Sequence, residues 1–339
     1  MDWKVIGKKT VCVTGGTGYV ASLLIKNLLE KGTYAVNTTA RNPEDQKKVA
    51  HLLILQADHS DLKIFRADLT DEGSFDTAIA GCDIVFHVAT PVNFNSQDPE
   101  NEMINPAIHG TLNVLNACVK SKTVKRVVLT SSAAAVSINN QNGTGFVMDE
   151  GCWTDVEFLA SAKPPIWGYP VSKTQAEKAA WKFAEENKID LITVIPSLML
   201  GPSLTLAVPS SIFLGMSLLT GNNELINTLK GMQMLSGSIS ITHVEDVVNA
   251  HIFLAEKESA SGRYICCNIS SSLPELAKLL SNRYPQYKVP TDFRDFPTKA
   301  KLSLSSEKLI NEGFSFKYGI EEIYDQTMEY YKSVELLQK

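Results

Sequence analysis

The chain of 339 residues is long enough for two domains of about 150 residues each, or for one large α/β unit with an added lobe. Its 44% hydrophobic and 20% charged residues, with 20 Gly and 14 Pro, lie near the globular average and exclude a disordered, collagenous or coiled-coil chain. The balance of 32 basic against 37 acidic residues, a net charge of -5, lacks the basic footprint of a phosphate-backbone binder and sets nucleic acid aside as a partner.

Residues 9–14 (KTVCVT) read as a buried strand, residues 19–31 carry helical apolar spacing that Gly32 stops, and residues 34–40 (YAVNTTA) read as a second strand. Further strands are predicted at 62–66, 84–88, 127–130 and 191–195, separated by helical stretches. Such alternation predicts an α/β fold of Rossmann type, a doubly wound parallel sheet with right-handed crossovers and ligand at the carboxyl ends of its strands. After Pro196 the rhythm changes. Residues 201–235 are rich in Ser, Leu, Thr and Met and predict helices and loops of a smaller lobe, and strand signals return at 238–242 and 263–267. We therefore expect a dinucleotide-binding domain over 1–196, with segments near 238–267 returning to it, and a mainly substrate-binding, interleaved C-terminal lobe over 197–339. From Gly319 onward the pattern is an amphipathic helix suited to packing.

The six cysteines, at 12, 82, 118, 152, 266 and 267, are scattered through apolar stretches without C-x-x-C spacing, which fits buried free thiols in a reducing compartment. The six histidines show no H-x-x-x-H and no carboxylate cluster, so no metal is expected. No apolar run approaches the roughly 18 residues of a membrane span. The first residues go straight into a strand without the apolar core of a secretory leader, so a cytoplasmic location is expected.

The strongest local signal is Thr14-Gly15-Gly16-Thr17-Gly18-Tyr19-Val20-Ala21, between the first strand and the first helix. In that place Gly15 permits a tight turn, Gly18 lets backbone approach a pyrophosphate, and Ala21 lets the helix pack closely on the strand. The anion would sit on the free N–H groups of the helix start. A glycine turn without ligand is the competing reading. The second strand ends without the acidic residue that would hold a ribose 2'-hydroxyl. Arg41 follows instead, with Lys47 and Lys48 nearby. A guanidinium there suits a 2'-phosphate, so NADP (NADPH) is expected over NAD, against the alternative of a solvated basic surface. Asp68, ending the third strand, either takes the adenine amino group or caps the next helix.

A Tyr followed four residues later by Lys occurs twice. Tyr284 and Lys288 enclose Pro285 with Pro290 just beyond, which predicts a loop. Tyr169-Pro170-Val171-Ser172-Lys173 instead opens a helical pattern that runs to 187, with Pro170 tolerable in the first turn. The spacing puts Tyr169 and Lys173 on one face, where the ammonium is expected to stabilise the phenolate and lower its pKa from about 10. Ser131-Ser132 followed by small residues is only a turn when taken alone. Downstream of a dinucleotide turn and 37 residues ahead of Tyr169, Ser132 becomes the hydroxyl that orients substrate and phenol.

TGGTGYVA, HVATPV, TSSAAAV and YPVSK in this order resemble the extended short-chain dehydrogenase/reductase family, over nearly the whole chain. Longer stretches such as RNPEDQKKVAHLL, GCDIVFHVATPV and WGYPVSKTQAEKAAWKFAEENKIDL are most similar to its plant dihydroflavonol reductase-like group. The resemblance implies Ser132, Tyr169 and Lys173 as the catalytic set. It also implies contacts to NADP from Gly15, Thr17, Gly18, Tyr19, Val20, Arg41, Lys48 and the stretch Val88, Ala89, Thr90 and Pro91, besides Asp68, Tyr169 and Lys173. The implied substrate is a flavonoid meeting Ser132, Ser137 and Tyr169. The implied reaction is NADPH-dependent reduction of anthocyanidins to 2,3-cis-flavan-3-ols of the epicatechin type, in flavonoid and proanthocyanidin biosynthesis. Reduction of a dihydroflavonol ketone is the alternative, and a catalytically silent NADP sensor is the alternative of another class. The oligomeric state is left open.

Three departures qualify the resemblance. Ala107 stands where many extended members carry an Asn before the Gly-Thr of a helix, so no proton relay through that Asn is expected. Trp167-Gly168-Tyr169-Pro170-Val171-Ser172-Lys173 replaces the NWYCYGK signature of reductases that act on thioesters. Ser137 stands where dihydroflavonol reductases carry Asn in SSAGTVN. Its hydroxyl offers less than an amide, which predicts weak discrimination of B-ring hydroxylation.

Overall fold

Strands that are apolar on both faces must be covered by helices on both sides. The structure, a computed structural model, describes residues 7–93, 96–139 and 145–336. Its first half runs β1 (Lys9–Val13), α1 (Tyr19–Glu30), β2 (Tyr34–Ala40), α2 (Gln46–Asp58), β3 (Leu62–Arg66), α3 (Asp76–Ile79), β4 (Ile84–His87), α4 (Asn105–Ser121) and β5 (Arg126–Thr130). A short β6 (Phe146–Met148), α5 (Val156–Ala162) and the long α6 (Gly168–Asn187) lead to β7 (Leu191–Pro196) and β8 (Leu198–Leu200). Then come α7 (Ser210–Gly215), α8 (Ser217–Thr220), α9 (Asn223–Ser236), β9 (Ile239–His243), α10 (Val244–Glu256), β10 (Gly262–Cys266) and β11 (Ile269–Ser271). The chain closes with α11 (Leu273–Arg283), β12 (Leu302–Leu304), α12 (Glu307–Asn311) and α13 (Ile320–Ser333).

Seven strands form one parallel sheet in the order β10-β7-β5-β4-β1-β2-β3. Val11, Val13, Val85, Phe86, Val127 and Val128 have no exposed surface at its centre. One face is covered by α1 and α10 through Leu24, Leu28, Val247 and Val248, the other by α3, α4 and α6 through Ile79, Leu115 and Ala180. Strand order reverses between β1 and β4. A crevice for ligand opens past the carboxyl ends at such a switch point.

Of the two late strand signals, only the second joins this sheet, as β10 at the edge beside β7. The segment 238–242 does not return to it. It is the start of β9, central in a separate three-stranded sheet of order β11-β9-β8. Its alternate residues explain the difference. Ser240 bonds to Ser238 (3.0 Å) and to Ser270 of β11 (2.9 Å), while Ile239 and Ile241 bury on the lobe's own core with Leu229, Leu276, Ile323 and Tyr324. Both faces of β9 are thus engaged within the lobe, its hydroxyls with β11 and its isoleucines with the lobe's core. The following α10 then crosses back onto the main sheet, so the two parts of the fold are threaded through one another.

All six cysteines are free, and five are buried. Among the described residues, no helix is long and apolar enough to cross a membrane.

Candidate active site

The turn after β1 needs glycine for two reasons at Gly15. Its φ is +72°, in the left-handed region, and a Cβ would meet the Cβ of Ala89 at 3.0 Å. Thr14 joins this turn to the end of β4: its hydroxyl oxygen accepts the N–H groups of Val88 and Ala89, both at 3.1 Å, and lies 2.9 Å from His87 Nδ1. Val88 and Ala89 therefore lie against the glycine turn, and half-buried Thr90 and Pro91 follow them. Gly18 is the extended N-cap of α1 and provides no side-chain cap, and the first turn holds no acidic residue. Among the described residues no side chain caps the N–H groups of that turn, and their partial positive charge suits a pyrophosphate. Val20 is buried in the core, and the Tyr19 hydroxyl donates to the Gly201 carbonyl at 2.8 Å. What these two residues can offer an anion is backbone.

At the other flank of β1, strand β2 ends in Thr38, Thr39 and Ala40 without a carboxylate, and Arg41 follows in the open. Asp68 accepts from the N–H and the hydroxyl of Thr70, at 2.9 and 2.8 Å. The Thr70 N–H above all, with Arg41 adding to it, holds the Asp68 carboxyl below its usual range. Asp68 therefore holds its own turn and does not cap the next helix, α3, which starts after Phe75 with no side-chain cap. Lys48, in the first turn of α2, is mostly exposed and 3.7 Å from Asp45, which caps that helix.

The chemical groups gather past β5. Ser132 is extended, accepts from Ala134 N–H at 3.2 Å, and faces the Tyr169 phenol. Tyr169 lies in the first turn of α6. Gly168 before it lets the helix start against Pro99, whose Cβ would be 2.4 Å from a Cβ at this position. The approach to α6 is a tight turn in which Trp167 N–H donates to Pro164 O (3.1 Å) and Ile166 holds φ +61°. That conformation costs a β-branched residue about 1–3 kcal/mol. Tyr169 N–H returns to the Ile166 carbonyl at 3.1 Å, so the strained turn sets where the phenol begins.

Lys173, one turn further on, is buried and donates to the Thr130 carbonyl at 2.8 Å. Burial pulls its ammonium down to about 8, with Glu177 acting in the opposite direction. The expected lowering of the Tyr169 phenol does not appear. Burial pushes it above its ordinary value and Ser132 draws it partly back, while the ammonium donates to a carbonyl. Two buried histidines stand around this end of the sheet, and both stay neutral. His87 is pushed down to about 3 by burial and then by the charge of Lys173, and His251 to about 4 by burial, with its Nε2 2.8 Å from the Thr130 hydroxyl. The motif HVATPV contains His87, and its signal was a polar residue ending an apolar strand. Nothing local marks His251.

The remaining positions are structural in their contacts. Ser137 is buried and donates to the Ala133 carbonyl at 2.9 Å, so the hydroxyl is turned onto its own turn. Ala107 is buried in α4. Tyr284 ends α11 with its hydroxyl donating to Asp325 of α13 at 2.7 Å, as befits a Tyr in a structural loop. Three inter-strand spacings, roughly 14 Å, separate the end of β5 from the end of β2. The fold thus puts Ser132, Tyr169 and Lys173 at one end of the crevice, the glycine turn at its centre, and Arg41 with Lys48 at the other.

Residues 11–269 match the family described as NAD dependent epimerase/dehydratase. The chain is 73% identical over 333 residues to an anthocyanidin reductase ((2S)-flavan-3-ol-forming) of Vitis vinifera, covering 98% of each chain. It is 60% identical to an anthocyanidin reductase of Arabidopsis thaliana, covering 98% of this chain and 97% of that one. Identity falls to 45% with a dihydroflavonol 4-reductase of Arabidopsis thaliana, over 95% of this chain and 82% of the other. Among solved structures, vestitone reductase from alfalfa superposes with a TM-score of 0.82 at 38% identity, over 97% of this chain and 100% of that chain. Gre2 of Candida albicans in complex with NADPH does so with a TM-score of 0.82 at 28% identity, over 96% and 99%.

Proposed function

Because the chain belongs to the NAD dependent epimerase/dehydratase family, we propose that Ser132, Tyr169 and Lys173 serve an NADPH-dependent reduction of anthocyanidins to 2,3-cis-flavan-3-ols. The observation that carries this reading is buried Lys173 donating to the Thr130 carbonyl one helical turn from Tyr169, whose phenol faces Ser132 past the same strand end.

The protein is an NAD(P)H-dependent oxidoreductase of flavonoid biosynthesis. Its residues suit NADP. Among the described residues no side chain caps the N–H groups at the start of α1, Gly15 leaves room that a Cβ would fill, and β2 ends without a carboxylate where Arg41 follows. We assign the pyrophosphate to the backbone of Thr17, Gly18, Tyr19 and Val20, the 2'-phosphate to Arg41 with Lys48 behind it, and the border of the cofactor to Val88, Ala89, Thr90 and Pro91. Bound NADPH supplies hydride. The 1–196 part, joined by α10 and β10, is assigned to the cofactor, and the 197–339 lobe mainly to the flavonoid.

A flavylium cation, two hydrides and one proton sum to a neutral flavan-3-ol. The cation is electron-poor enough to take the first hydride without acid, so the protein's proton belongs to the step that prepares the ring for the second. Tyr169 holds that proton: its raised pKa keeps the phenol protonated at neutral pH, and Ser132 orients it. Lys173, donating to the Thr130 carbonyl, holds the end of β5 in place beside the phenol. Ser137, with its donor turned onto Ala133, offers the substrate's B ring little. The free cysteines support a place in the reducing cytoplasm.

The test is incubation of the purified protein with NADPH and either cyanidin or dihydroquercetin, with products resolved on a chiral column. Conversion of cyanidin to a 2,3-cis-flavan-3-ol is expected. Reduction of dihydroquercetin with none of cyanidin would overturn the reading in favour of a ketone reductase, and no cofactor oxidation with either would leave a sensor.

A further inference from the structure

Glu177 lies one helical turn beyond Lys173 in α6, has 1% of its side chain exposed, and takes no part in the chemistry above. Its carboxylate is occupied from three strands. One oxygen accepts Thr193 of β7 at 2.9 Å and Arg263 Nε of β10 at 2.8 Å; the other accepts Ser131 Oγ at 2.5 Å and Arg263 Nη2 at 3.4 Å. Arg263 is itself held, with Nη1 donating to the carbonyls of Glu150 (2.6 Å) and Cys152 (2.8 Å) and the guanidinium 3.6 Å from the Trp153 ring centre. Burying an ion pair is costly, and apolar side chains of like volume would pack as well.

The register of α6 against the end of β5 supplies a reason. Three successive turns of the helix meet the strand end: Tyr169 faces Ser132, Lys173 donates to the Thr130 carbonyl, and Glu177 accepts from Ser131. Glu177 holds the middle residue of the three and is itself anchored to β7 through Thr193 and to β10 through Arg263. We propose that Glu177, clamped by Arg263, is a positioning residue that fixes through Ser131 the register in which Ser132 meets Tyr169, and that its carboxylate, one helical turn along α6 from Lys173, is the counter-charge of that ammonium.

The proposal rests on the reading that Ser132, Tyr169 and Lys173 carry the reduction. The groups around Lys173 are Tyr169 on its own helix, neutral His87 from β4, neutral His251 from α10 against Thr130, and cationic Arg263 from β10 beyond Glu177. Glu177 is the negative charge in this set, and it draws Lys173 upward against burial.

Lysine labelled with carbon-13 at Cε, assigned through Lys173→Arg, reports the titration of Lys173 without substrate. Glu177→Gln is expected to lower that titration by about one pH unit and kcat for cyanidin by roughly tenfold to a hundredfold. Glu177→Asp, which keeps the charge but loses reach, should restore the titration and not kcat. Ser131→Ala leaves the ion pair whole, so it tests the register even if Glu177→Gln fails to fold. It should lower kcat about tenfold with the KM for NADPH and the Lys173 titration unchanged. An unmoved Lys173 in folded Glu177→Gln, or wild-type kcat in Ser131→Ala, overturns the proposal. Wild-type protein that reduces no anthocyanidin would instead sink the functional reading, while the Lys173 titration still decides the link to Glu177.

Discussion

The two ends of the crevice are built on opposite principles. Past β5, Lys173, Glu177, His87 and His251 are buried and each is bonded to a defined partner, so every charge there is felt at low dielectric. Past β2, Arg41 is in the open and Lys48 has only a loose contact with Asp45. The buried end can hold a proton at a chosen atom. The exposed end can add attraction for a phosphate and little geometry, and salt weakens it.

The comparison breaks first at Tyr169. Tyr169→Phe should reduce turnover by about 10²-fold or more while NADPH titration stays nearly intact, since only the proton donor is lost. Unchanged turnover would move the chemistry away from this end. Next comes Arg41. Arg41→Ala should raise the KM for NADPH about tenfold to a hundredfold over any change for NADH, and the difference should shrink between low and high salt. Equal losses with both cofactors would mean that the 2'-phosphate is held elsewhere.

A third effect belongs to the buried end alone. His87 and His251 are neutral in the folded protein down to about 3 and about 4, whereas an unfolded histidine titrates near 6.5. On acidification below that value the unfolded chain binds protons that the folded chain refuses, so stability is lost as pH falls. At about pH 5.5 the loss is roughly 1.4 kcal/mol per histidine. The midpoint of thermal unfolding measured from pH 7.5 to 5.5 should therefore drop, and His251→Gln should flatten that slope. A midpoint that holds constant over this range would show the ring environments to be wet.

The smallest effect concerns the substrate. With Ser137 turned onto Ala133, cyanidin, delphinidin and pelargonidin should be reduced with kcat/KM values within about tenfold of one another, a spread of about 1.4 kcal/mol. A larger spread would sharpen the comparison by showing that another residue reads the B ring.

What local chemistry determines was legible in the sequence. The alternation of β-branched runs and helical spacing placed β1 to β5 and β7 within a residue or so, because burial on both faces writes its pattern into consecutive residues. The glycine turn and the Tyr169 and Lys173 pair were legible for the same reason, since one turn and one helical turn are local geometry. Only the tertiary structure decided what depends on residues far apart in the chain. The partner of β9 was settled by hydroxyls on β11, 30 residues away for Ser240 and Ser270, and strand signals carry no record of the neighbour. The Tyr19 bond to Gly201 and the Arg263 clamp on Glu177 join residues 182 and 86 apart. The direction of the Tyr169 shift depended on the same closure. Spacing places an ammonium near a phenol, but burial, which exists only once the sheet and α6 have met, decides which way the proton's affinity moves.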